Sequence, residues 1–309
     1  MNKPSLTDYL QLHFIVLIWG FTAILGKLLQ PLDASAVVLF RTLLAVLGMG
    51  FVLWLRKQSV RVSPADRWRL LATGAIIALH WVMFFLAARI ANVSVCLAGM
   101  ATSSLWASVL EPLVLRRRVR LIEVVLGAIV MAGLYIIFRF EFDKVVGLSV
   151  AVFSAMLSSL FTIINSRFTH RLDALVISFY EMAGAVLGAL ALWLVVQTTN
   201  SSATSLSVQY VPETPLQWVW LMLLAFVCTV YAYSVGVRLL RKFSPYMAVL
   251  TVNLEPVYGI LLAVLIFGND EHMTPGFYIG TLVILVAVLI YPFLNSRFTK
   301  TEARLPAST

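Results

Sequence analysis

The chain has 309 residues, of which 61% are apolar and only 12% are charged, and its mean hydropathy is +0.94. Soluble domains average about 45–50% apolar and about 25% charged residues, so this composition excludes an ordinary cytosolic enzyme and predicts a membrane protein. The net charge of +9 does not indicate a nucleic-acid partner here, because Lys and Arg of membrane proteins collect in cytoplasmic loops. The predicted partner of the apolar surface is a lipid bilayer.

Ten apolar segments are long enough to cross the bilayer, since a helical span needs about 20 mostly apolar residues. In chain order they are 9–26, 34–55, 70–88, 90–110, 124–138, 145–166, 174–197, 214–237, 244–267 and 273–296. Backbone groups in lipid must bond within their own element, and runs of this length without clear alternation favour helices over a barrel. The sequence therefore predicts an all-α integral membrane fold.

Lys and Arg residues concentrate in alternate loops. Of the 23 such residues, 18 fall on one side together with both termini, four fall on the other side, and Arg41 lies within a span. By the positive-inside rule both termini are predicted to be cytoplasmic. No small-residue cleavage site follows the first apolar run, so we interpret it as a retained span and not as a signal peptide.

The two halves of the chain resemble each other at a shift of 140 residues, which grows to 153 further along. The shift of 140 aligns residues 32–34 with residues 172–174, both of which read Leu-Asp-Ala. Each half contains five spans, and an odd number places the halves in opposite orientations across the membrane. We therefore predict ten transmembrane helices in two inverted five-helix repeats, residues 1–140 and 141–309.

Several short motifs resemble EamA-type members of the drug/metabolite transporter superfamily. Residues 18–27, which begin Ile-Trp-Gly and end in Lys, and residues 40–45 are similar to that family's first helix pair. Residues 254–280, which begin Leu-Glu-Pro-Val, resemble its ninth-to-tenth helix pattern. One departure is that Arg118 stands where the first repeat would match Glu271. The resemblance covers nearly the whole chain.

This resemblance implies secondary transport of small metabolites in a bacterial inner membrane, with export of amino acids or related compounds common. Proton coupling, uptake, exchange and facilitated diffusion stay open, as do sugar phosphates and nucleotide sugars as substrates. No phosphate-binding loop predicts ATP drive, no local motif around His80 or Ser103 predicts a protease, and no charged ring or filter sequence predicts a channel. The sequence thus predicts no enzyme, metal or cofactor, and leaves open whether a homodimer forms.

Arg41 and Glu181 lie at equivalent positions inside the second and seventh spans. A charge at the bilayer centre costs about 2.5–3.5 kcal/mol, so such residues usually face a cavity or a partner. One interpretation makes Arg41 the anchor of a substrate carboxylate, with Glu181 meeting an amine or carrying a proton. The other is a structural ion pair, or an Arg41 side chain that reaches the membrane interface.

Glu255 is the stronger candidate for a proton carrier, because a carboxyl group at mid-membrane can exchange a proton during transport. Pro256 follows it, and a proline inside a helix releases a carbonyl group and kinks the helix. Helical spacing places Thr251 and Tyr258 on the face of Glu255. His80 suits a proton relay or a substrate hydrogen bond, although a buried structural histidine is an equal alternative.

Other polar and aromatic residues of the spans are interpreted either as the lining of a pathway or as helix packing. They are Trp19, Ser103, Ser158, Thr162, Asn165 and Tyr231. In contrast, the glycine pairs Gly184/Gly188 and Gly276/Gly280 have the spacing that lets two helices approach closely, and we predict that they pack.

Overall fold

A computed structural model of the chain describes residues 4–116, 121–200 and 209–302, and the side chains of 121, 123, 124, 199, 200, 288 and 291–302 lie outside that description. Four arginines that contribute to the predicted orientation also lie outside the described residues: Arg117, Arg118, Arg120 and Arg304. The predicted difference between the repeats, in which Arg118 stands where Glu271 would match, therefore lies outside the described residues.

The first half forms six α-helices and the second half forms seven among the described residues. The first six are α1 (Leu6–Leu28), α2 (Ala34–Leu55), α3 (Pro64–Ile90), α4 (Val93–Met100), α5 (Ser103–Leu115) and α6 (Leu121–Phe140). The next seven are α7 (Val145–Phe168), α8 (Ala174–Asn200), α9 (Pro215–Met222), α10 (Ala232–Leu239), α11 (Pro245–Val252), α12 (Glu255–Phe267) and α13 (Pro275–Glu302). A π-helical segment, Leu223–Tyr231, joins α9 to α10, and the described residues contain no β-strand.

Side-chain caps define where many of these helices begin. Each capping oxygen accepts a hydrogen bond from a backbone N–H in the first turn, which otherwise has no partner inside the helix. The capping residues are Ser5, Asp33, Ser63, Asn92, Thr214 and Ser244. Polar residues just before apolar runs thus set the boundaries of the spans.

Eight helical segments of the described chain are long and apolar enough to cross a membrane. Two shorter apolar helices, Val125–Phe140 and Pro275–Ala287, lie where the fifth and tenth spans were predicted. The described residues therefore confirm an all-helical membrane fold with eight candidate spans and two shorter apolar helices.

Two of the predicted spans are not continuous helices. The segment 90–110 is divided between α4 and α5 at residues 101–102, and the segment 244–267 is divided between α11 and α12 at residues 253–254. The bounds of these two helix pairs are related by a constant shift of 152 residues, one less than the shift of 153 read from the sequence. Pseudo-equivalent helix breaks therefore occur in the two halves.

The break in the second half corrects the expected role of Pro256. This proline occupies the first turn of α12 and does not kink a helix interior. Proline is tolerated there because the first N–H groups of a helix have no intrahelical acceptor. The continuous helical face predicted for Thr251 and Tyr258 is consequently interrupted, since Thr251 ends α11 and Tyr258 belongs to α12.

Glycines allow close contact where the helices cross. Gly184 of α8 lies against the backbone of Leu71 in α3, and a side chain there would collide with it. Gly280 of α13 lies against the carbonyl group of Gly133 in α6 in the same way. These contacts confirm that the two glycine spacings serve packing, and they hold α3 against α8 and α6 against α13.

Candidate substrate site

A cavity of about 110 Å³ lies among α1, α2, α3, α7, α10, α11 and α12, and Met100 of α4 and Ser103 of α5 also line it. It is several times larger than the roughly 10–15 Å³ that one water molecule requires on the same measure. Leu12, Leu240 and Ala248 line it, and these residues lie near the start of α1, the end of α10 and the start of α11. The cavity therefore extends from the helix breaks toward the end of the bundle where α1 begins.

The structure brings eight of the eleven predicted site residues to this cavity: Trp19, Arg41, His80, Ser103, Ser158, Thr162, Asn165 and Glu255. Three others lie elsewhere. Glu181 is directly behind the wall, in contact with Asn165. Tyr231 is 44% exposed and packs edge-on against Phe14, and Tyr258 lies against Gly20 where α1 meets α12.

Arg41 is only 1% exposed and is held by two contacts. Its Nε atom donates to the hydroxyl oxygen of Thr229 at 2.8 Å, and its guanidinium carbon lies 3.8 Å from the centre of the Trp81 ring. Its Nη1 atom is buried and bonds no group in the described residues. Arg41 therefore does not reach the interface, and it retains a donor without a protein partner.

The π-helical segment explains why Thr229 can receive Arg41. The Thr229 hydroxyl donates to the carbonyl oxygen of Leu224, five residues earlier, at 2.8 Å. Because its hydrogen is used in this bond, its oxygen is free to accept from the Arg41 Nε atom. Sequence reasoning missed Thr229, since nothing in the apolar run around it indicates the wider π-helical turn.

Glu255 and Arg41 both line the cavity and interact electrostatically. Within the described residues neither forms a salt bridge with the other or with any other side chain. Glu255 occupies the first turn of α12, where the aligned backbone dipoles favour negative charge. The cavity thus presents a cation and an acidic group whose charges are not consumed by a direct contact.

His80 is fixed by reciprocal bonds to Ser154 of α7. Its Nδ1 atom lies 2.9 Å from the Ser154 carbonyl oxygen, which can only accept and therefore assigns the hydrogen to Nδ1, and the Ser154 hydroxyl donates to the His80 carbonyl oxygen at 2.9 Å. Because Nδ1 carries the hydrogen, Nε2 of the neutral ring is an acceptor. The structure therefore gives His80 one structural nitrogen and leaves the other without a protein partner in the described chain.

Glu181 is 0% exposed and belongs to a polar cluster with Tyr233 and Asn165. The Tyr233 hydroxyl donates to Glu181 Oε2 at 2.8 Å, and the Asn165 amide donates to the Tyr233 oxygen at 3.0 Å. No ion pair joins Glu181 to Arg41 among the described contacts, although their repeat positions are equivalent. The predicted structural ion pair is therefore wrong, because each side chain faces different partners across the bundle.

Hydroxyl groups satisfy the backbone at the first helix break. The Ser103 hydroxyl donates to the carbonyl oxygen of Met100 at 2.6 Å, and Thr102 donates to that of Gly99 at 2.7 Å. A helix break frees carbonyl groups that need new donors inside a membrane. Thr102 and Ser103 therefore satisfy the helix break, and Ser103 also lines the cavity.

Lys27 and Glu271 form a closed structural site away from the cavity. Glu271 is 0% exposed, and its Oε1 atom accepts from Lys27 Nζ at 3.0 Å. Its two oxygens also accept from the backbone N–H groups of Val93 and Ser94, at 3.1 Å and 2.8 Å. The carboxylate thus caps α4 and ties α1 to it, so these two motif residues serve the fold and not the cavity.

Comparison with known proteins assigns the family. The model of the "EamA-like transporter family" matches the chain twice, over residues 9–139 and 145–292. The chain belongs to this transporter family. It is accordingly a multi-pass membrane protein built on the family's two-repeat architecture.

A solved structure, described in the words "Crystal structure of protein", shows the same fold as this EamA-family chain. The two have 17% sequence identity and a TM-score of 0.67, and the match covers 94% of this chain and 98% of the other. Among curated proteins, none matches the chain. At this identity the structural likeness supports the fold alone.

Proposed function

We propose that the protein is a secondary transporter of small zwitterionic metabolites, amino acids or related compounds, that works by alternating access. The observation that carries the proposal is the pair of opposite charges at the cavity, Arg41 and Glu255, which line it and form no salt bridge within the described residues. Intramembrane charges are costly and mark substrate or ion pathways. A carboxylate bound at Arg41 and an ammonium group bound at Glu255 would compensate both.

The aromatic residues of the cavity wall favour an apolar group on the rest of the substrate, beyond its carboxylate and ammonium groups. Trp81, Phe84 and Phe161 line the cavity beside the charged pair, and small-molecule sites combine such apolar walls with a few polar groups that fix orientation. His80 adds an acceptor at Nε2. This combination fits an amino acid with an apolar or aromatic side chain better than a sugar phosphate, which would require several cationic side chains.

The architecture we propose has ten transmembrane helices in two inverted repeats, residues 1–140 and 141–309, with both termini cytoplasmic in a bacterial inner membrane. The twofold match to the family model supports the two repeats. In this orientation the cavity extends toward the cytoplasm, where an exporter loads and an importer releases its substrate, and we propose export because the family resemblance favours it. Repeats of this kind alternate access by rocking around a fixed central site.

Efflux from proteoliposomes tests this function. A panel of labelled amino acids is loaded, and the rates for native protein, Arg41→Met and Glu255→Gln are measured with and without a pH gradient. Glu213→Gln is the matched control, since it removes a carboxylate outside the cavity. We expect efflux of zwitterions that both cavity variants lose and the control keeps.

The alternatives give different results in the same assay. Efflux that is independent of the gradient in native protein would indicate a facilitator or an exchanger. Flux of sugar phosphates or nucleotide sugars, with no flux of any amino acid, would overturn the zwitterion assignment. Unchanged amino-acid efflux in Arg41→Met and Glu255→Gln would overturn the site.

A further inference from the structure

Glu181 is a carboxyl group that the described residues enclose without a cation in contact with it. It lies on α8, which packs against α2, α3 and α10, and its side chain is 0% exposed. Its Oε2 atom accepts from the Tyr233 hydroxyl at 2.8 Å and from the Asn165 amide at 3.3 Å. Its Oε1 atom is buried and bonds no group in the described residues.

The charged and titratable groups of the surrounding helices do not neutralise Glu181. Arg41, the charged residue of α2, is bonded to Thr229, and His80 of α3 is bonded to Ser154. Tyr233 is the titratable side chain in contact with it. The remaining charged residues of α3, α7 and α10 lie near helix ends: Asp66, Arg67, Arg69, Arg89, Arg167 and Arg238.

A proton bound to Glu181 removes the cost of burying its negative charge. An ionised carboxylate buried without a cation is strongly destabilised, and such a group neutralises instead. The cluster also has two buried acceptors without donors, Glu181 Oε1 and Asn165 Oδ1. A protonated carboxyl group supplies a donor that the ionised form lacks.

Tyr233 connects this carboxyl group to the cavity. Tyr233 and Asn165 line the cavity, whereas Glu181 does not. We propose that Glu181 is the proton-exchange site of the transporter, reached from the cavity through the Tyr233 hydroxyl and separate from the Arg41 and Glu255 substrate site. This inference rests on the proposed transport function.

Proton transfer through Tyr233 needs no other co-reactant than water. A hydronium ion in the cavity gives its proton to the Tyr233 oxygen, and the phenol passes its own hydrogen to Glu181 Oε2. The products are water, a neutral tyrosine and a neutral carboxylic acid. Release toward the cavity follows the reverse path, so the tyrosine ends each transfer unchanged.

One aromatic side chain, Trp81, contacts both the substrate site and the proton path from Tyr233 to Glu181. Trp81 lies under the Arg41 guanidinium and contacts the Tyr233 ring edge-on, with ring centres 6.2 Å apart. A substrate that moves Arg41 therefore changes the packing of Tyr233. Glu255 is assigned to the substrate and not to this exchange, because its side chain lines the cavity together with Arg41, whereas Glu181 lies behind the wall and bonds Tyr233.

Infrared spectroscopy of the purified protein in nanodiscs tests the proton without a substrate. We expect native protein at neutral pH to show the carbonyl band of a protonated carboxylic acid, absent in Glu181→Gln and retained in Glu255→Gln. Ser178→Ala is the matched control, because Ser178 lies one turn away on α8 and its hydroxyl bonds no described group. A band unaffected by Glu181→Gln, or no such band in native protein, would overturn the proposal.

Flux measurements then test coupling. With labelled amino acids as the probe, the ratio of gradient-driven efflux to gradient-free counterflow should fall to that of uncoupled exchange in Glu181→Gln and fall partially in Tyr233→Phe. A ratio equal to native in Glu181→Gln would show that its proton is not exchanged during transport. If native protein shows no counterflow, the zwitterion function fails, while the infrared band still decides whether Glu181 holds the proton.

Discussion

The guanidinium group of Arg41 lies on the face of the Trp81 ring, with its central carbon 3.8 Å from the ring centre. The edge of the same ring contacts Tyr233, the donor to Glu181. One aromatic side chain therefore contacts both the cavity cation and Tyr233, the cavity-lining member of the polar cluster around Glu181. The face of the Trp81 ring supports Arg41, and its edge contacts Tyr233.

Trp81→Leu removes the ring that supports Arg41. A cation–π contact contributes about 0.5 kcal/mol at exposed sites and about 2 kcal/mol when desolvated, so we expect KM for a carboxylate-bearing substrate to rise about 2- to 30-fold. Trp81→Phe keeps an aromatic face and should lose less. Initial efflux rates across a substrate concentration series measure the effect, and equal KM values in Trp81→Leu and native protein would contradict it.

Thr229→Val tests the acceptor of the Arg41 Nε atom. Valine has nearly the shape of threonine but leaves a buried charged donor without its partner, which costs about 1–3 kcal/mol. We expect a lower thermal unfolding midpoint in detergent, together with reduced transport. Thr229→Ser keeps the hydroxyl and should stay near native, so an equal loss in both variants would contradict a role for the hydroxyl as the acceptor of Arg41.

Lys27 and Glu271 should behave as a coupled pair. Removing one partner of a buried pair costs about 3–5 kcal/mol, and Glu271→Gln also weakens the cap of α4. We expect Lys27→Met and Glu271→Gln each to lower thermal stability, and the double variant to lose less than the sum of the two. Strict additivity in this cycle would contradict the direct interaction.

Two glycines of the membrane helices should differ sharply in their tolerance of alanine. Gly184→Ala places a methyl group on the backbone of Leu71, whereas the nearest atom to such a group at Gly50 is a Phe179 ring carbon at 3.5 Å. Overpacking costs about 1–3 kcal/mol, while alanine in an open helical position is favourable by up to about 1 kcal/mol. Fluorescence-detected thermostability should therefore fall in Gly184→Ala and hold or rise in Gly50→Ala.

Glu141 gives the protein a defined acid sensitivity outside the spans. Burial raises the pKa of Glu141, but bonds from Thr274 and Lys144 outweigh burial and hold that pKa below its usual range. The carboxylate therefore stabilises the fold at neutral pH, and this contribution is lost as the pH falls through the lowered pKa. Unfolding midpoints measured against pH should decline less steeply at acid pH in Glu141→Gln than in native protein.

The helical fold was predictable because its signals are local. Apolar run length shows where helices can cross a membrane, and capping residues such as Ser63 and Ser244 precede the runs. Eight of the eleven candidate residues line the cavity, because polar groups inside apolar runs are costly and usually face a cavity or a partner, and their role in transport stays a prediction. Each of these predictions depends only on the sequence of a single helix.

Features that depend on two helices were harder to predict. Arg41 and Glu181 match in the repeat, yet Arg41 faces the π-helical Thr229 and Glu181 faces Tyr233. The sequence does not encode such a pairing locally, because a single wider turn rotates which side chains reach the interface. Pro256 indicated a kink for a different reason, because the apolar run does not show that one helix ends at Val252 and the next begins at Glu255.

The cavity that ends at the two helix breaks has an electrical consequence. It extends from one end of the bundle toward Arg41 and Glu255, so the dielectric barrier is thinner there than the full bilayer. The membrane voltage then falls mainly across the packed layer beyond the breaks, where an elementary charge gains or loses about 2.3 kcal/mol per 100 mV. A zwitterion crosses that layer without electrical work, whereas any net charge that moves with it makes transport electrogenic.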